Sequence, residues 1–205
     1  MKQKFLTLIV ILGLGVGIGV GYTVSHKDAD SNKKVLSAQT QVKSPPAATA
    51  SVAEGEPGIP KKISIPKIRV DAIVESVGMD SKGRMDTPKD ADNTAWFNPG
   101  FRPGTPGSAV LDGHYDKESG GPAVFWDLKK LVKGDEVIIT DDKGNTHTFA
   151  VERIVKYPYD KFPIQEVFAA SDVAKLNLIT CQGEWDKEAR NYSERMVVYT
   201  KIVSN

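Results

Sequence analysis

Short apolar runs separated by turn-forming residues dominate the chain from Lys61 onward. "KISIPKIRVDAIVESVG" holds two β-branched runs interrupted by Pro66, and "SAVLDGH" changes from apolar to polar at its end. "DEVIITDDKGNTHTFAVERIVKYP" places two β-rich runs around a polar turn, in which Gly144 can take a positive φ. "AKLNLITC" and "RMVVYTKIV" supply two more runs before the end of the chain. The pattern predicts a mostly all-β domain of seven or eight strands, arranged as a single closed or nearly closed barrel.

Helical periodicity is weak in this part of the chain. The best candidate is "AVFWDLKKL" (Ala123 to Leu131), in which Val124, Leu128 and Leu131 would share one face of a helix. We therefore expect one or two short helices beside the strands.

The first residues have a different pattern. Lys2 and Lys4 precede "FLTLIVILGLGVGIGVGYTV" (Phe5 to Val24), twenty residues without a charge. A helix of that length can cross a bilayer. A cleaved signal peptide is the alternative, although the apolar run is long for one and no clear A-x-A site follows. Residues 1–24 are thus predicted to form a cytoplasmic stub and a membrane anchor, with the remainder of the chain outside the cell.

Residues 25–60 are poor in large apolar side chains. "SAQTQVKSPPAATASVAEGEPG" is rich in Ser, Thr, Ala, Pro and Gly, and such a segment cannot bury a core. A flexible tether is predicted here, about 35 residues spanning roughly 30 to 35 Å. The folded domain would then occupy residues 61–205.

Composition narrows the functional classes. Among 205 residues the formal net charge is +1, so no global field favours binding to nucleic acid. The 18 glycines and 12 prolines fit a fold with many turns. A single cysteine excludes an internal disulfide and leaves a thiol that is either reactive or merely buried.

That cysteine, Cys181, stands at the end of an apolar run, where a nucleophile would need a proton donor and an oxyanion stabiliser. Of the three histidines, His26 lies in the predicted tether, and His147 lies among threonines in a strand, where a solvent-facing structural role is expected. His114 follows Gly113 at a strand-to-loop junction, a common place for catalytic groups. His114 is therefore the candidate partner of Cys181.

Two arginines follow the cysteine. Arg195 begins the last apolar run, fourteen positions after Cys181, and Arg190 lies in the intervening polar segment. If the two runs pair as strands, Arg195 could reach a carbonyl that Cys181 attacks. Asp112 shares a strand face with His114 and could orient its imidazole, although a solvated carboxylate at the loop edge is the commoner arrangement.

These residues and motifs resemble the sortases, the membrane-tethered cysteine transpeptidases of Gram-positive bacteria. The resemblance covers Lys61 to Val203 and rests on "LDGHYD", on "LITC" and on an arginine that enters the last strand. "TAWFNPGFRPGTPGSAVLDGH" and "GPAVFWDLKKLVKGDEV" are most similar to the class F group. Two positions depart from the family pattern. Asn177 replaces the first threonine of a Thr-Leu-x-Thr-Cys signature, and Asp112 stands where a small residue is frequent.

The resemblance implies a sortase-like barrel that cleaves a Leu-Pro-x-Thr-Gly sorting signal between Thr and Gly and transfers the protein to an amine of peptidoglycan or a pilin. It implies Cys181 as nucleophile, His114 as general acid and base, and Arg195 as oxyanion stabiliser, with Arg190 as the alternative arginine. Thr180 would contact substrate or oxyanion, unless it is an ordinary strand threonine. No cofactor or metal is expected, and "TDDKGN" is interpreted as a turn because its carboxylates lack calcium-loop spacing.

Two other classes combine some of these features. An L,D-transpeptidase would also pair Cys with His in an outward-facing β domain, but the "LITC" context and the 67 positions between His114 and Cys181 argue against it. A tethered binding module with a buried structural thiol is the second alternative. Alkylation separates the two, because a buried thiol resists modification in the folded state.

Overall fold

The computed structural model of the protein describes residues 56–204, which form an eight-stranded closed barrel. The strands are β1 (Pro60–Ile65), β2 (Val70–Val77), β3 (Thr94–Phe97), β4 (Gly107–Gly113), β5 (Glu136–Asp141), β6 (Thr146–Pro158), β7 (Ala174–Asp186) and β8 (Asn191–Ser204). Around the barrel their order is β1-β2-β3-β4-β7-β8-β6-β5, and β5 pairs back with β1. Closure leaves no unpaired edge. The predicted all-β barrel of seven to eight strands is confirmed, and β3 is the strand that the apolar pattern did not single out.

Parallel pairing at two places decides which strand ends meet. β2 pairs with β3, and β4 with β7, in parallel, whereas the other neighbours are antiparallel. The carboxyl ends of parallel neighbours lie at the same rim of a sheet. Residues that follow β4 therefore lie beside the later part of β7.

The barrel wall is apolar on both faces where β4, β7 and β8 run together. The interior holds the main core, whose largest fully buried side chains are Phe125, Phe149, Ile63, Ile65, Leu111, Leu128, Ile139, Leu176, Leu178 and Met196. A second cluster, formed by Val110, Val167, Ile179, Val197 and Tyr199, covers the outer face of the same strands. Successive strand residues point to opposite faces, so each of these strands contributes to both clusters.

The predicted helix from Ala123 to Leu131 is wrong in its extent. Only Leu128–Lys130 forms a short 3-10 helix, preceded by turns. The backbone N–H groups of Ala123 and Phe125 donate to the carbonyls of Tyr115 and His114, which commits them to a neighbouring segment instead of a helical ladder. Within residues 56–204 the α-helix is α1 (Ile164–Val167), which was not predicted. The same part of the chain has two further 3-10 turns, Pro66–Ile68 and Tyr159–Lys161.

The predicted hairpin is present, with β5 and β6 joined through a turn in which Gly144 has a φ of 84°. The Asp141 carboxylate organises this turn by accepting the backbone N–H groups of Lys143 and Asn145. It also accepts the backbone N–H of Gly58 at 2.8 Å, which ties the start of the described chain to the barrel. "TDDKGN" is therefore a turn.

The predicted membrane anchor and most of the predicted tether lie outside the described residues. Glu56 to Ile59, the described part of that tether, are hydrogen-bonded to the barrel through Lys143, Asp141 and Asp142. Within residues 56–204, no helix has the length and apolarity that a membrane span requires.

Candidate active site

Cys181 lies on β7 between two strands that carry the other predicted site residues. On β8, the register partner of Cys181 is Arg195. On β4, the register partner of Ile179 is Asp112. Continuing both strands by two residues places His114, just past the end of β4, beside Cys181. The fold thus brings the predicted nucleophile, imidazole and guanidinium onto adjacent segments of one barrel rim.

Strand alternation determines which way these side chains face. Ile179 and Val197 belong to the outer apolar cluster. Cys181 follows Ile179 by two positions and Arg195 precedes Val197 by two positions, so Cys181 and Arg195 also face outward. Thr180 faces inward and is 1% exposed, and its hydroxyl donates to the Gly113 carbonyl at 2.7 Å. This contact fits the alternative of a structural strand threonine, and a role for Thr180 in substrate binding stays a prediction.

Gly113 allows His114 to leave the strand close to the core. A Cβ added at this position would lie 2.5 Å from the ring of Phe125. That separation is far below van der Waals contact, so a larger residue would displace the buried ring or the strand end. The Gly-His order in the sequence therefore has a packing reason.

The thiol of Cys181 is partly buried and lines a groove. Burial raises its pKa, Arg195 opposes this by favouring the thiolate, and the carboxylates of Asp112 and Asp116 raise the pKa further. In the free protein at neutral pH the thiol therefore holds its proton. The thiol is thus only partly buried, whereas the alternative of a binding module has a buried structural thiol.

Arg195 is held in place by its own hairpin. Its Nη1 donates to the carbonyls of Tyr192 and Glu194, at 3.2 and 3.0 Å, and its Nη2 donates to Asn191 Oδ1 at 2.6 Å. These three contacts use part of the guanidinium and aim it along the rim that carries Cys181.

Arg190 has a different environment. It is exposed and occupies the β7–β8 turn with a φ of 50°. β7 continues to Asp186 and β8 begins at Asn191, so most of the polar segment after Cys181 is paired in a tight hairpin. The hairpin places Arg190 at its tip and Arg195 opposite the cysteine.

The imidazole of His114 is oriented by a carbonyl on the β2–β3 connection. Its Nε2 lies 3.0 Å from the Pro88 carbonyl oxygen; a carbonyl only accepts, so Nε2–H is the donor and Nδ1 is left for proton transfer. The adjoining residues are held by Glu75 on β2, whose carboxylate accepts the Lys89 N–H at 3.0 Å and the Asn93 Nδ2 at 2.9 Å. Glu75 and Pro88 were missed from the sequence because nothing local connects either of them to His114.

Asp112 is not the solvated loop-edge carboxylate that the sequence favours. It lies within β4, partly buried, on the groove surface with His114 and Arg195. Burial raises its pKa to about 6, although the neighbouring His114 and Arg195 side chains act in the opposite direction. The register of β4 against β3 and β7, which the sequence does not display, explains the difference.

The groove next to these residues has a volume of about 820 Å³. Its floor includes Asp112, Ile179, Cys181 and Arg195. One wall comes from the β2–β3 connection and consists of Met79, Asp80, Gly83, Arg84, Met85, Asp86 and Thr87. The other wall comes from the β6–β7 connection and consists of Tyr159, Phe162, Ile164 and Phe168. Met79 and Ile164, on opposite walls, are 61% and 65% exposed, an apolar exposure typical of a ligand-binding cleft.

His147 is remote from this site, and its expected solvent-facing position is wrong. It is 4% exposed, its Nε2 lies 3.5 Å from Asp141 Oδ2, and the Gly104 backbone packs against its ring. It shares the inner face of β6 with Phe149, while the flanking threonines are more exposed. His26 lies outside the described residues. Among residues 56–204, no three His, Cys, Asp or Glu side chains are grouped so as to hold a metal ion.

Comparison with known proteins agrees with this architecture. Sortase C-1 from Actinomyces oris superposes with a TM-score of 0.55 at 22% identity, covering 71% of this chain and 72% of that one. Sortase C from Clostridium perfringens SM101 gives 0.54 at 19% identity, with 73% and 72% covered. A lid mutant of sortase A from Corynebacterium diphtheriae gives 0.55 at 22% identity, with 74% of each chain covered.

At these identities the structural likeness shows the fold alone. No curated protein matches the chain. The model of the sortase domain, however, matches residues 63–203, which is more than half of the chain. This protein therefore belongs to the sortase family of cysteine transpeptidases.

Proposed function

We propose that this sortase cleaves a Leu-Pro-x-Thr-Gly-like sorting signal between Thr and Gly and transfers the acyl part to an amine of peptidoglycan or a pilin. The observation that carries the proposal is the position of Cys181 at the groove, with Arg195 opposite it on β8 and His114 beside it past β4. Nucleophile, oxyanion donor and proton carrier are the three groups that acyl transfer through a thioester needs.

In the first half of the reaction the Cys181 thiol passes its proton to Nδ1 of His114 and attacks the threonine carbonyl carbon. The C–S bond forms, the carbonyl oxygen becomes an oxyanion, and Arg195 donates hydrogen bonds to it. As the C–N bond breaks, the imidazolium returns the proton to the departing glycine nitrogen. The product is a thioester on Cys181 and a free glycine amine.

In the second half a neutral amine attacks the thioester carbon. The amine nitrogen gives one proton to His114, the C–S bond breaks, and the Cys181 thiolate recovers that proton from the imidazolium. The thiol and the neutral imidazole are regenerated, and the new bond is an amide.

The groove supports an extended apolar peptide. Its walls expose Met79 and Ile164, and the apolar cluster beneath it includes Ile179. Leucine and proline side chains would bury their surface against these groups, at roughly 25 cal/mol per Å² of apolar area removed from water.

Assignment to class F remains part of this proposal, because it rests on the sequence from Thr94 to His114 and on "GPAVFWDLKKLVKGDEV". Anchoring to the cell membrane as a single-pass protein, by a helix over Phe5 to Val24 with the catalytic domain outside, is also proposed. It rests on the uncharged apolar run and the lysines before it.

The test is turnover of a panel of sorting-signal peptides by the purified protein, with and without an added amine. We expect cleavage at Thr–Gly, a thioacyl adduct on Cys181 by intact-mass measurement, and an amide product when the amine is present. Cys181→Ala should abolish turnover with the fold intact, and His114→Ala should slow it at least about a hundredfold. Peptide binding without turnover would establish the alternative of a binding module. Normal activity of Cys181→Ala would refute a mechanism that passes through a thioester on Cys181.

A further inference from the structure

An aromatic platform lies at the rim beside His114 and is separate from the peptide groove. It consists of Tyr115, Trp126, Trp185 and Tyr192. Tyr115 stacks on Trp126, with ring centroids 4.3 Å apart, and meets Tyr192 edge-on at 5.6 Å. Trp185 meets Tyr192 at 5.1 Å and is 51% exposed. The other three rings are partly buried, and partly exposed aromatic rings in contact with one another offer faces for a ligand.

A carboxylate completes this platform. The Tyr192 hydroxyl donates to Asp116 Oδ2, so the acid is fixed against the platform. The backbone carbonyl of Tyr192 also accepts a hydrogen bond from Arg195. Asp116 and the platform are thus connected directly to the residue that faces Cys181.

The charge of Asp116 works against the nucleophile. Together with Asp112 it raises the pKa of the Cys181 thiol, and so disfavours the thiolate that attack requires. A negative group at this place favours a cation instead. The second substrate of an amine transfer is such a cation, because primary amines are protonated at neutral pH.

The platform already binds one ammonium group. Lys129 Nζ lies 4.4 Å from the Trp126 ring centre and 5.3 Å from that of Tyr115, and donates to the Tyr115 hydroxyl at 3.2 Å. These are cation–π distances. Lys129 occupies the Trp126 end, and the Trp185 end lies on the β7–β8 hairpin that carries Cys181 and Arg195.

The position of the platform suits an incoming nucleophile. The groove contacts β7 at Ile179 and Cys181, whereas Trp185 lies four residues farther along the strand. In the thioacyl state the acyl peptide would fill the groove. An attacking amine must then approach from the side that the peptide leaves open.

We infer that Asp116, Tyr192 and Trp185 form the binding site for the ammonium group of the acceptor amine. This rests on the proposed function and names the site of its second substrate. The carboxylate pairs with the ammonium, and the two rings contact it and its adjoining methylene groups. The bound ammonium releases one proton to water, and the neutral amine then attacks the thioester as described above. The ammonium could belong to a lysine side chain or to a chain's amino terminus.

Partitioning of the thioacyl enzyme tests this site. A sorting-signal peptide is supplied with increasing glycinamide or Nα-acetyl-lysine amide, and the ratio of amide product to hydrolysed product is measured in the same reaction. This ratio does not depend on the rate of acylation. For Asp116→Asn we expect the amine concentration that gives equal amounts of the two products to rise about tenfold or more, as for a lost charge-assisted hydrogen bond.

Two controls make the result specific. Glu118→Gln removes an exposed acid from the same loop and should leave the ratio close to that of the native protein. Hydroxylamine is largely neutral near pH 7. With hydroxylamine as acceptor, the ratio of acyl-transfer product to hydrolysed product should be almost the same for Asp116→Asn and for the native protein. Trp185→Ala, which truncates a half-exposed ring, should weaken both amines in the same direction and serves as the second variant.

An unchanged ratio for both amines in Asp116→Asn and Trp185→Ala would overturn the inference. An equal loss with hydroxylamine would also overturn it, since the effect would then not concern a cation. A loss confined to one of the two amines supports the site and identifies the source of the ammonium. Absence of any thioacyl adduct in the native protein would refute the proposed function itself, and is recognised before partitioning is measured.

Discussion

Replacing Arg195 with alanine should slow thioacyl formation far more than it weakens peptide binding. An oxyanion exists only in the transition state and the intermediate, so a donor that serves it contributes to kcat. The register opposite Cys181 and the three hydrogen bonds within the hairpin hold the guanidinium in one place. A donor that is already held loses little conformational entropy when the oxyanion forms.

The magnitude follows from a count of donors. A guanidinium has five N–H groups. Three contacts, to the carbonyls of Tyr192 and Glu194 and to Asn191 Oδ1, leave Nε–H and one Nη2–H of Arg195 for the substrate. Loss of a single oxyanion donor costs about 10² to 10³ in kcat, or about 2.7 to 4 kcal/mol. We therefore expect at least about a hundredfold loss of kcat in Arg195→Ala.

The assay is steady-state cleavage of one sorting-signal peptide, with kcat and KM determined separately. Arg195→Lys should recover only part of the loss, because a point charge lacks the fork of the guanidinium. Arg190→Ala is the matched control: it removes the same group from the exposed turn and keeps a Cβ at the left-handed position. We expect a small effect there, mainly on KM. If Arg190→Ala were crippling and Arg195→Ala nearly silent, the assignment of the oxyanion residue would be wrong, and the sortase assignment would stand.

Three further predictions concern the surroundings of the site. Glu75→Ala frees the segment whose carbonyl orients His114, so kcat should fall about tenfold, which corresponds to roughly 1.4 kcal/mol. KM should change little, and the NMR resonances of the imidazole should shift. Glu75→Gln should recover part of the rate, and an equal loss in both variants would contradict the account. At pH values above 6, Asp112→Asn should unfold at a higher temperature than the native protein, because a folded-state pKa of about 6 makes ionised Asp112 destabilising there. This gain in unfolding temperature should vanish below pH 3.8, the ordinary pKa of the carboxyl group. A variant that is less stable than the native protein above pH 6 would refute the argument. Removal of residues 1–55 should leave a soluble and active enzyme. Further removal through Gly58 should lower the free energy of unfolding by about 1 to 3 kcal/mol, because Asp141 then loses a hydrogen bond. Equal denaturant midpoints for the two truncations would exclude a stabilising role of the Gly58–Asp141 hydrogen bond.

The β-rich architecture could be predicted from sequence because its determinants are local. Alternating runs, β-branched residues and turn glycines each act within a few positions, and they located most of the strands and the β5–β6 hairpin. β3 is only four residues long, and its pairing with β2 and β4 depends on segments far away in sequence. A short run of that kind has no distinctive period of its own.

The same limit explains the errors on single residues. His147 sits between threonines, and only the inward phase of β6 decides that it is buried. The segment from Ala123 has a helical spacing of apolar residues, but its N–H groups bond to the chain that follows His114. Propensity was overruled in both cases by tertiary pairing.

For the site, the sequence by itself determined which residue types were available: one thiol, a histidine after a strand, and two arginines near the last strand. Only the tertiary structure decided that Cys181 and Arg195 are register partners, that Asp112 faces the groove, and that Glu75 and Asp116 act near the same rim. The reason is that strand register and pairing join positions well separated in sequence, from fourteen residues for Cys181 and Arg195 to more than sixty for Asp112 and Ile179. Such contacts are properties of the closed barrel and leave no mark in any local stretch of the chain.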